Sequence, residues 1–556
     1  MKTAVGETIP LYLTALSPLH IGAGEDYEPT NYVIDEGTLY AFGSEAASQA
    51  LSPQQHDSLL AMVSGDKRRP EEMIKQVQAF FHAQRETLAA VAGHYLPAVS
   101  GVAELYGNRI GRDANRESKH RGVINRLEIE RTFYNHHTQG VVIPGSSLKG
   151  ALRTALLDGL NNNAGLEEDE RHLLNDRKPF KKAQANSALQ KRLFRGGFAA
   201  DPMRLISIAD SGLATIDGAG REVMFAVDRK KKAAFKDGKE LEANAPYQLL
   251  ECLSPLEYRR YQSSLGIQDL QGHGGKNTPA NDLRWSVQEL VAACNDFYYP
   301  RFKTELSLLR ERGLVDTGWA AAMDTLMTGG VFARMQAGTA CLLRVGRHSG
   351  AESVTLNGVR KIKIMQGKGQ PPRFADAAST VWLAAQHEKA QNGLLPFGWV
   401  LLELDETPLT DELQAVMQDY TAPQRERHNA QQQRRKALQA NWEVLRQQRA
   451  AEARQTELKQ QQEAEAAAVL AAMSEQARER HKIEVMLAAD REAGVKQAGG
   501  RTLAALAGLL QLAADWPQDE QVALADLAET VYGWHGWGPK KKRPAKMVVL
   551  ETLRGK

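Results

Sequence analysis

The segment Val141-Val-Ile-Pro-Gly-Ser-Ser-Leu-Lys-Gly-Ala-Leu-Arg-Thr-Ala-Leu-Leu157 carries residue types that can hold an anion. A Pro144-Gly145-Ser146-Ser147 turn feeding a helix leaves backbone N–H groups without intrahelical partners, and the helix dipole adds partial positive charge there. That arrangement suits a phosphate. Lys149 and Arg153 share a face and reach toward neighbouring phosphates. Ser146 or Ser147 is the predicted N-cap of a helix from Leu148 to about Leu160, whose core face holds Leu148, Leu152, Ala155 and Leu156. An ordinary capped helix explains the same residues, so the anion site needs support from elsewhere in the chain.

Three glycine-rich, partly basic loops supply it. They are His20-Ile-Gly22-Ala-Gly24, Phe194-Arg195-Gly-Gly-Phe198 and Arg344-Val-Gly346-Arg347-His-Ser-Gly350. Each lets backbone amides approach a sugar-phosphate chain, and Phe194 and Phe198 can stack on bases. None has the spacing of a phosphate-binding P-loop or a dinucleotide fingerprint, so neither nucleotide hydrolysis nor a cofactor is expected. Trp534-His-Gly-Trp537-Gly-Pro-Lys-Lys-Lys-Arg543 sets tryptophans beside a basic run. That pattern suits single-stranded nucleic acid, and equally a Trp-anchored core next to a solvated tail.

Catalytic constellations are thin. No Gly-Gly-Asp-Asp stretch offers paired carboxylates for two-metal chemistry, and His136-His137 lacks acidic partners at ligand spacing. Cys252, Cys294 and Cys341 lie far apart, which reads as reduced thiols rather than a zinc ribbon or a disulfide framework. No metal site and no catalytic residue is therefore assigned. His20, beside its glycine turn, is the best general-base candidate if the chain cuts RNA; a structural or RNA-contacting histidine is the competing reading.

The elements that must position these residues fall into three textures along 556 residues. Residues 1 to about 405 mix strand and helix patterns. Leu11–Leu16 reads as a strand, His20–Gly24 as a turn, and Tyr32–Asp35 with Thr38–Phe42 as a hairpin. Residues 44–95 look helical and about 100–125 look like a polar, basic loop around Gly107, Gly111 and Gly122. Val141–Ile143, Met203–Ala209, Glu222–Val227, Cys341–Val345 and Gly398–Leu404 read as strands, and 284–312 as helix. This order is α+β, not a doubly wound parallel sheet. Residues 411–493 are rich in Ala, Gln, Glu and Arg and predict a long helix or helical hairpin, about 100 Å if continuous. Residues 494–556 predict a small helical domain with a basic tail. The net charge of +3 gives no global field, so any basic surface is local, as at Arg229–Lys232. The first residues lack an apolar signal core and no apolar run nears the roughly 20 residues of a spanning helix, so a cytoplasmic protein without membrane contact is expected.

Taken in order, several segments resemble one family. Ile143-Pro-Gly-Ser-Ser-Leu-Lys-Gly-Ala-Leu-Arg153 resembles the signature of the RAMP superfamily of CRISPR-associated RNA-binding proteins. Leu16–Glu25 is similar to its N-terminal strand and loop, and Ile129–Asn135 to the lead-in to the signature. Asp201–Ser211, Leu343–Gly350 and Pro396–Val400 follow in the expected order, and the set looks most like the fifth subunit of the Csm (type III-A) effector. The resemblance covers about residues 1–405. It implies two ferredoxin-like (RRM-like) lobes with helical insertions, followed here by an all-α extension. It also implies an antiviral-defence ribonucleoprotein subunit that caps the backbone filament near the 3′ end of the CRISPR RNA and aids guide maturation without an active site of its own. Its partners would be CRISPR RNA and the backbone, large and small subunits, with target RNA as a further candidate. The RNA contacts implied are His20, Gly22, Gly24, Gly145, Ser146, Ser147, Lys149, Arg153, Arg195, Arg344, Gly346, Arg347 and Gly350. Two features depart from the pattern: about 150 residues follow the closing strand, and Ala351-Glu-Ser-Val-Thr355 stands where an aromatic and a lysine are expected. Two alternatives stay open. One is a metal-independent guide-processing endoribonuclease of the same superfamily. The other is a helical interaction scaffold acting through residues 411–556, such as a fused small subunit.

Overall fold

The computed structural model describes residues 6–64, 70–111, 127–175, 179–213, 220–236, 239–243, 245–270, 278–365, 369–496 and 500–556. The chain divides into two compact units, 1–442 and 443–556.

The first unit is α+β. Its principal strands are β1 Glu7–Ala15, β2 Gly22–Tyr27, β3 Ile129–Thr132, β4 Ile206–Ile208, β5 Gly212–Leu213, β6 Arg221–Lys230, β7 Gln248–Leu253, β8 Tyr261–Ile267, β9 Ala340–Arg344, β10 Thr380–Ala385, β11 Leu395–Pro396 and β12 Trp399–Glu403. Among the described residues they build two six-stranded sheets. The first has the order β9-β12-β1-β8-β4, with β5 beside β8, and is antiparallel throughout. The second has the order β11-β10-β6-β7-β3-β2, with β7 and β3 parallel and the rest antiparallel. Residues 221–228 of β6 are buried without alternation, because both faces of this sheet are covered.

Helices α1 Gly145–Asn161 and α2 Val287–Glu311 belong to the same core as the first sheet. α2 opens with a capping box of Ser286 and Glu289, and its Tyr298 hydroxyl donates to the Ala151 carbonyl of α1 at 3.0 Å. A separate small core forms where the strands Tyr32–Asp35, Thr38–Ala41 and His94–Pro97 pack with helices of residues 44–91; it buries Val33, Tyr40, Phe42, Phe81, Leu88 and Tyr95. Helix α3, Asp411–Ala472, begins in this unit. Met417, Thr421, His428 and Leu438 are buried, and Arg434 pairs with Asp35 at 2.7 Å. These contacts carry the compact unit past the closing strand to Trp442.

The second unit packs α4 Glu475–Glu492, α5 Arg501–Leu512, α6 Gln518–His535 and α7 Arg543–Leu553 around Leu487, Leu506, Leu524, Ala528, Val531 and Leu550. No described helix is long and apolar enough to cross a membrane.

Several local expectations are corrected. α1 begins at Gly145, not Leu148, and its N-cap is Pro144 with no side-chain cap from Ser146 or Ser147. The reason is tertiary: Asp210 reaches across to take the Gly145 N–H. Val141–Ile143 is not a strand but a single bridge, Tyr134 to Val141. The expected turn at His20–Gly24 is instead the entry to β2, from Gly22. Ser100–Arg109 is a helix where a loop was expected; the end of that stretch, with Gly122, lies outside the described residues.

Candidate nucleic-acid interface

A backbone seam joins the two sheets of the first unit. β1 leaves the first sheet at Ala15, the Leu16 and Ser17 N–H groups both donate to the Trp399 carbonyl, and Leu19 pairs with Leu253 before β2 enters the second sheet. Gly398 donates to the Pro18 carbonyl at 2.9 Å and accepts from Val345 at 2.9 Å. At Gly346 (φ +83°) a Cβ would lie 2.4 Å from the His20 carbonyl, so glycine is required there by both conformation and space. The Arg347 N–H then donates to that carbonyl at 2.8 Å. The His20–Gly24 and Gly346–Gly350 loops, 326 positions apart by their first residues, are thus one structure.

The seam continues to the α1 turn. Phe133 N–H donates to the Ile21 carbonyl at 2.6 Å, and Val142 N–H to the Phe133 carbonyl at 3.0 Å. Ile143 and Ser211 exchange two bonds of 2.8 and 3.0 Å, and Asp210 Oδ1 accepts the Gly145 N–H at 2.8 Å. A Cβ on Gly145 would sit 2.0 Å from the Ile208 carbonyl, so glycine here permits the close approach of α1 to β4. Gly22 and Gly24 are exposed, and the β2–β3 register slips between Gly22 and Asp26. The Phe194–Phe198 loop abuts α1 about two turns on, because the Arg153 guanidinium lies 4.9 Å over the Phe194 ring. The opening segment and the three glycine-rich loops therefore all border α1 or the seam, whereas Trp534–Arg543 belongs to the second unit.

Charge is distributed less simply. Arg153 is bound to Asp201 at 2.7 Å and to Gln190, and Arg195 to Asp282 at 2.7 Å. Arg347 pairs with Glu130. Arg344 is 5 % exposed; it binds Glu305 at 2.8 Å and the Phe397 carbonyl at 3.0 Å, and lies over the Trp399 ring. Each of these four arginines carries a carboxylate partner, whereas Lys149, half-buried, has none among the described residues. Phe194 is interior against Trp285, while Phe198 is 81 % exposed with Arg204 over its ring at 5.1 Å.

His20 is buried. Its Nδ1–H donates to the Glu251 carbonyl at 2.7 Å, and Nε2 is buried without a partner. Burial lowers its pKa to about 4, with the Arg347 charge adding to the effect against the Glu251 bond. His348, stacked on Trp382 with ring centroids 4.5 Å apart, is lowered to about 3 by burial, then by Arg347 and His20. Both imidazoles are neutral at pH 7. His136 and His137 lie on an exposed loop, and the described residues contain no cluster of three or more His, Cys, Asp or Glu able to hold a metal.

One basic feature was missed by sequence reasoning. The hairpin Ile362–Ile364 with Arg373–Ala375 exposes Lys361, Lys363 and Arg373 without carboxylate partners among the described residues, beside exposed Met365 (71 %) and Phe374 (59 %). Its signal is legible in retrospect: Lys361-Ile-Lys-Ile364 alternates like a strand, and Pro371-Pro372 precedes its partner. It follows the Gly346–Gly350 loop in the segment that links the two sheets.

A family model of the RAMP superfamily matches residues 12–296. No curated protein matches the chain. Among solved structures, the chain is similar to one chain of a Csm–crRNA–target RNA ternary complex of a type III-A CRISPR-Cas system, with 17 % identity, 71 % of this chain and 100 % of that one covered, and a TM-score of 0.40. It is also similar to Csm5 of T. onnurineus, with 15 % identity, 71 % and 99 % covered, and a TM-score of 0.37.

Proposed function

The chain belongs to the RAMP superfamily, and from that premise we propose that it is a non-catalytic, RNA-binding subunit of a type III CRISPR effector in the cytoplasm. In this reading its two sheets are the two ferredoxin-like lobes. The chain caps the backbone filament near the 3′ end of the CRISPR RNA, beside the large and small subunits. The observation that carries the reading is the seam. It gathers the exposed glycines 22 and 24 and the Gly346–Gly350 loop with the Ser146–Ser147 turn of α1, so that exposed backbone lies along its length. Such a surface reads sugar and phosphate rather than base sequence.

Lys149, Lys361, Lys363 and Arg373 supply cation in this reading; Arg153, Arg195, Arg344 and Arg347 are held by carboxylates of the protein itself. Gly145 serves close packing, with its N–H bound to Asp210. His20, buried and weakened as a base by that burial, supports holding over cutting, since a general base must reach the proton it removes.

The test is guide-RNA binding by the purified protein at 0.1 and 0.5 M salt. Phosphate contact predicts a fall of about tenfold or more; equal affinity would overturn it. Incubation with precursor RNA in EDTA separates the ribonuclease reading: single-site cleavage lost in His20→Ala would replace the present one.

A further inference from the structure

The second unit carries a second concentration of nucleic-acid chemistry, outside the family match. Residues 533–550 contain Lys540, Lys541, Lys542, Arg543 and Lys546 and no Asp or Glu. Lys540–Arg543 are exposed, and among the described residues none of the five forms an ion pair. Gly536 (φ +89°) and Gly538 (φ +77°) turn the chain back at the end of α6, which sets Trp537 against Tyr532 at 5.1 Å between ring centroids. Two of these five cations, and two more from residues 491 and 496, then lie on aromatic rings. Lys546 is 4.1 Å over Tyr532 and Arg543 5.2 Å over Trp537, while Lys496 is 4.6 Å and Arg491 5.7 Å over Trp534.

This is an unusual way to hold seven like charges. Among the described residues no carboxylate pairs with them, and Lys546 is held below the usual ammonium range by burial and by the neighbouring Lys542. Rings serve as weak acceptors for four of them, worth well under an ion pair with a polyanion, and Lys546 also donates to the Trp537 carbonyl at 3.1 Å. Trp534 and Trp537 are half-buried, each anchored on one side in the helical core and open on the other. A chain that offers phosphates at regular spacing and flat bases between them satisfies both halves of this surface: the exposed Lys540–Lys542 take phosphates, Lys496 and Lys546 move from ring to phosphate, and bases take the ring faces. An acidic protein would satisfy the charge but not the tryptophans.

We propose that Arg491, Lys496, Trp534, Trp537, Lys540–Arg543 and Lys546 form a single-stranded RNA-binding surface, separate from the one on the first unit. It reads backbone and stacking, with little base preference.

The test uses the full-length chain and a 10-nucleotide oligouridylate, titrated calorimetrically in 0.1 M KCl. The triple variant Lys540→Ala, Lys541→Ala, Lys542→Ala alters exposed side chains alone and should keep its helix content. It should bind one fewer oligonucleotide per chain than the parent, whatever the first unit does, so the outcome is independent of the preceding proposal. Where one class of site is resolved, the log–log salt slope should fall by about 2 for three lost phosphate contacts on a single strand. Trp534→Leu should weaken the same equivalent with its salt slope kept. Unchanged stoichiometry and slope in the triple variant would overturn the inference. So would a variant that loses binding to phosphatidylglycerol vesicles while its oligouridylate binding is untouched, which would make the surface a membrane contact.

Discussion

Asp210 Oδ1 accepts the Gly145 N–H at 2.8 Å, so a carboxylate of the protein itself occupies the start of α1, where an anion from outside would bind. It caps the helix from 65 positions away.

The first prediction follows from that contact. Asp210→Asn keeps an acceptor for the Gly145 N–H but removes a negative charge from the proposed RNA path. Guide-RNA affinity in filter binding at 0.1 M salt should rise by up to about fivefold, the scale of one exposed charge. Asp210→Ala should instead lose the cap and about 1 kcal/mol of stability in urea unfolding. Weaker RNA binding by Asp210→Asn would count against the path.

Gly346→Ala probes the seam. The new methyl would meet the His20 carbonyl at 2.4 Å in a left-handed conformation, and the neighbour is backbone that cannot swing aside. A loss of about 2–4 kcal/mol is expected, combining overpacking with backbone strain. Gly24→Ala shares the positive φ but has nothing within 4 Å of its Cβ, so it should cost about 1 kcal/mol. Equal effects would show that the seam is not the constraint.

Much of this was legible in the sequence, and the limit has a physical cause. α1, the Tyr32–Asp35 and Thr38–Ala41 hairpin and the α2 helix follow from local periodicity and turn chemistry. The signature segment and the three glycine-rich loops were found by residue type, and their gathering along α1 and the seam is what the fold adds. The charge state was illegible, because the carboxylates on Arg153, Arg195 and Arg347 come from 48, 87 and 217 positions away. Arg344 is answered by Glu305 of α2, which no local pattern announces. A basic glycine loop thus reads alike in sequence whether its arginine faces solvent or a buried acid.

Acid should destabilise the first unit. His20, His94 and His348 have folded pKa values lowered from 6.5 to about 4, 3 and 3, with burial the largest cause in each. Between those values and 6.5 the unfolded chain binds protons that the folded chain does not, so stability is present above pH 6.5 and is lost as pH falls. Each histidine adds a slope of up to about 1.4 kcal/mol per pH unit in that window. Urea midpoints at pH 7.5 and 5.0 measure it, and His20→Asn should flatten the difference. A pH-independent midpoint would contradict the burial of these rings.

The ion pair of Arg221 and Glu251, at 3.0 Å with side chains 7 % and 1 % exposed, lies in the second sheet. Glu251 also accepts from the Tyr27 hydroxyl and the Thr132 N–H, each at 3.2 Å. Arg221→Met leaves that carboxylate buried without its cation and should cost about 3–5 kcal/mol. Adding Glu251→Gln should restore most of the loss, measured by urea unfolding. A single variant as stable as its parent would mean the pair is dispensable.

The place of β12 has a consequence for biosynthesis. This strand, residues 399–403, sits between β9 and β1 in the first sheet, although it is the last of the strands to be made. At about 5–20 residues per second, β1 waits some tens of seconds on the ribosome with its β12-facing edge open. An exposed strand edge invites pairing with another chain. A transcript truncated before codon 399 therefore yields not a smaller working subunit but a nascent chain that depends on chaperones for as long as it persists.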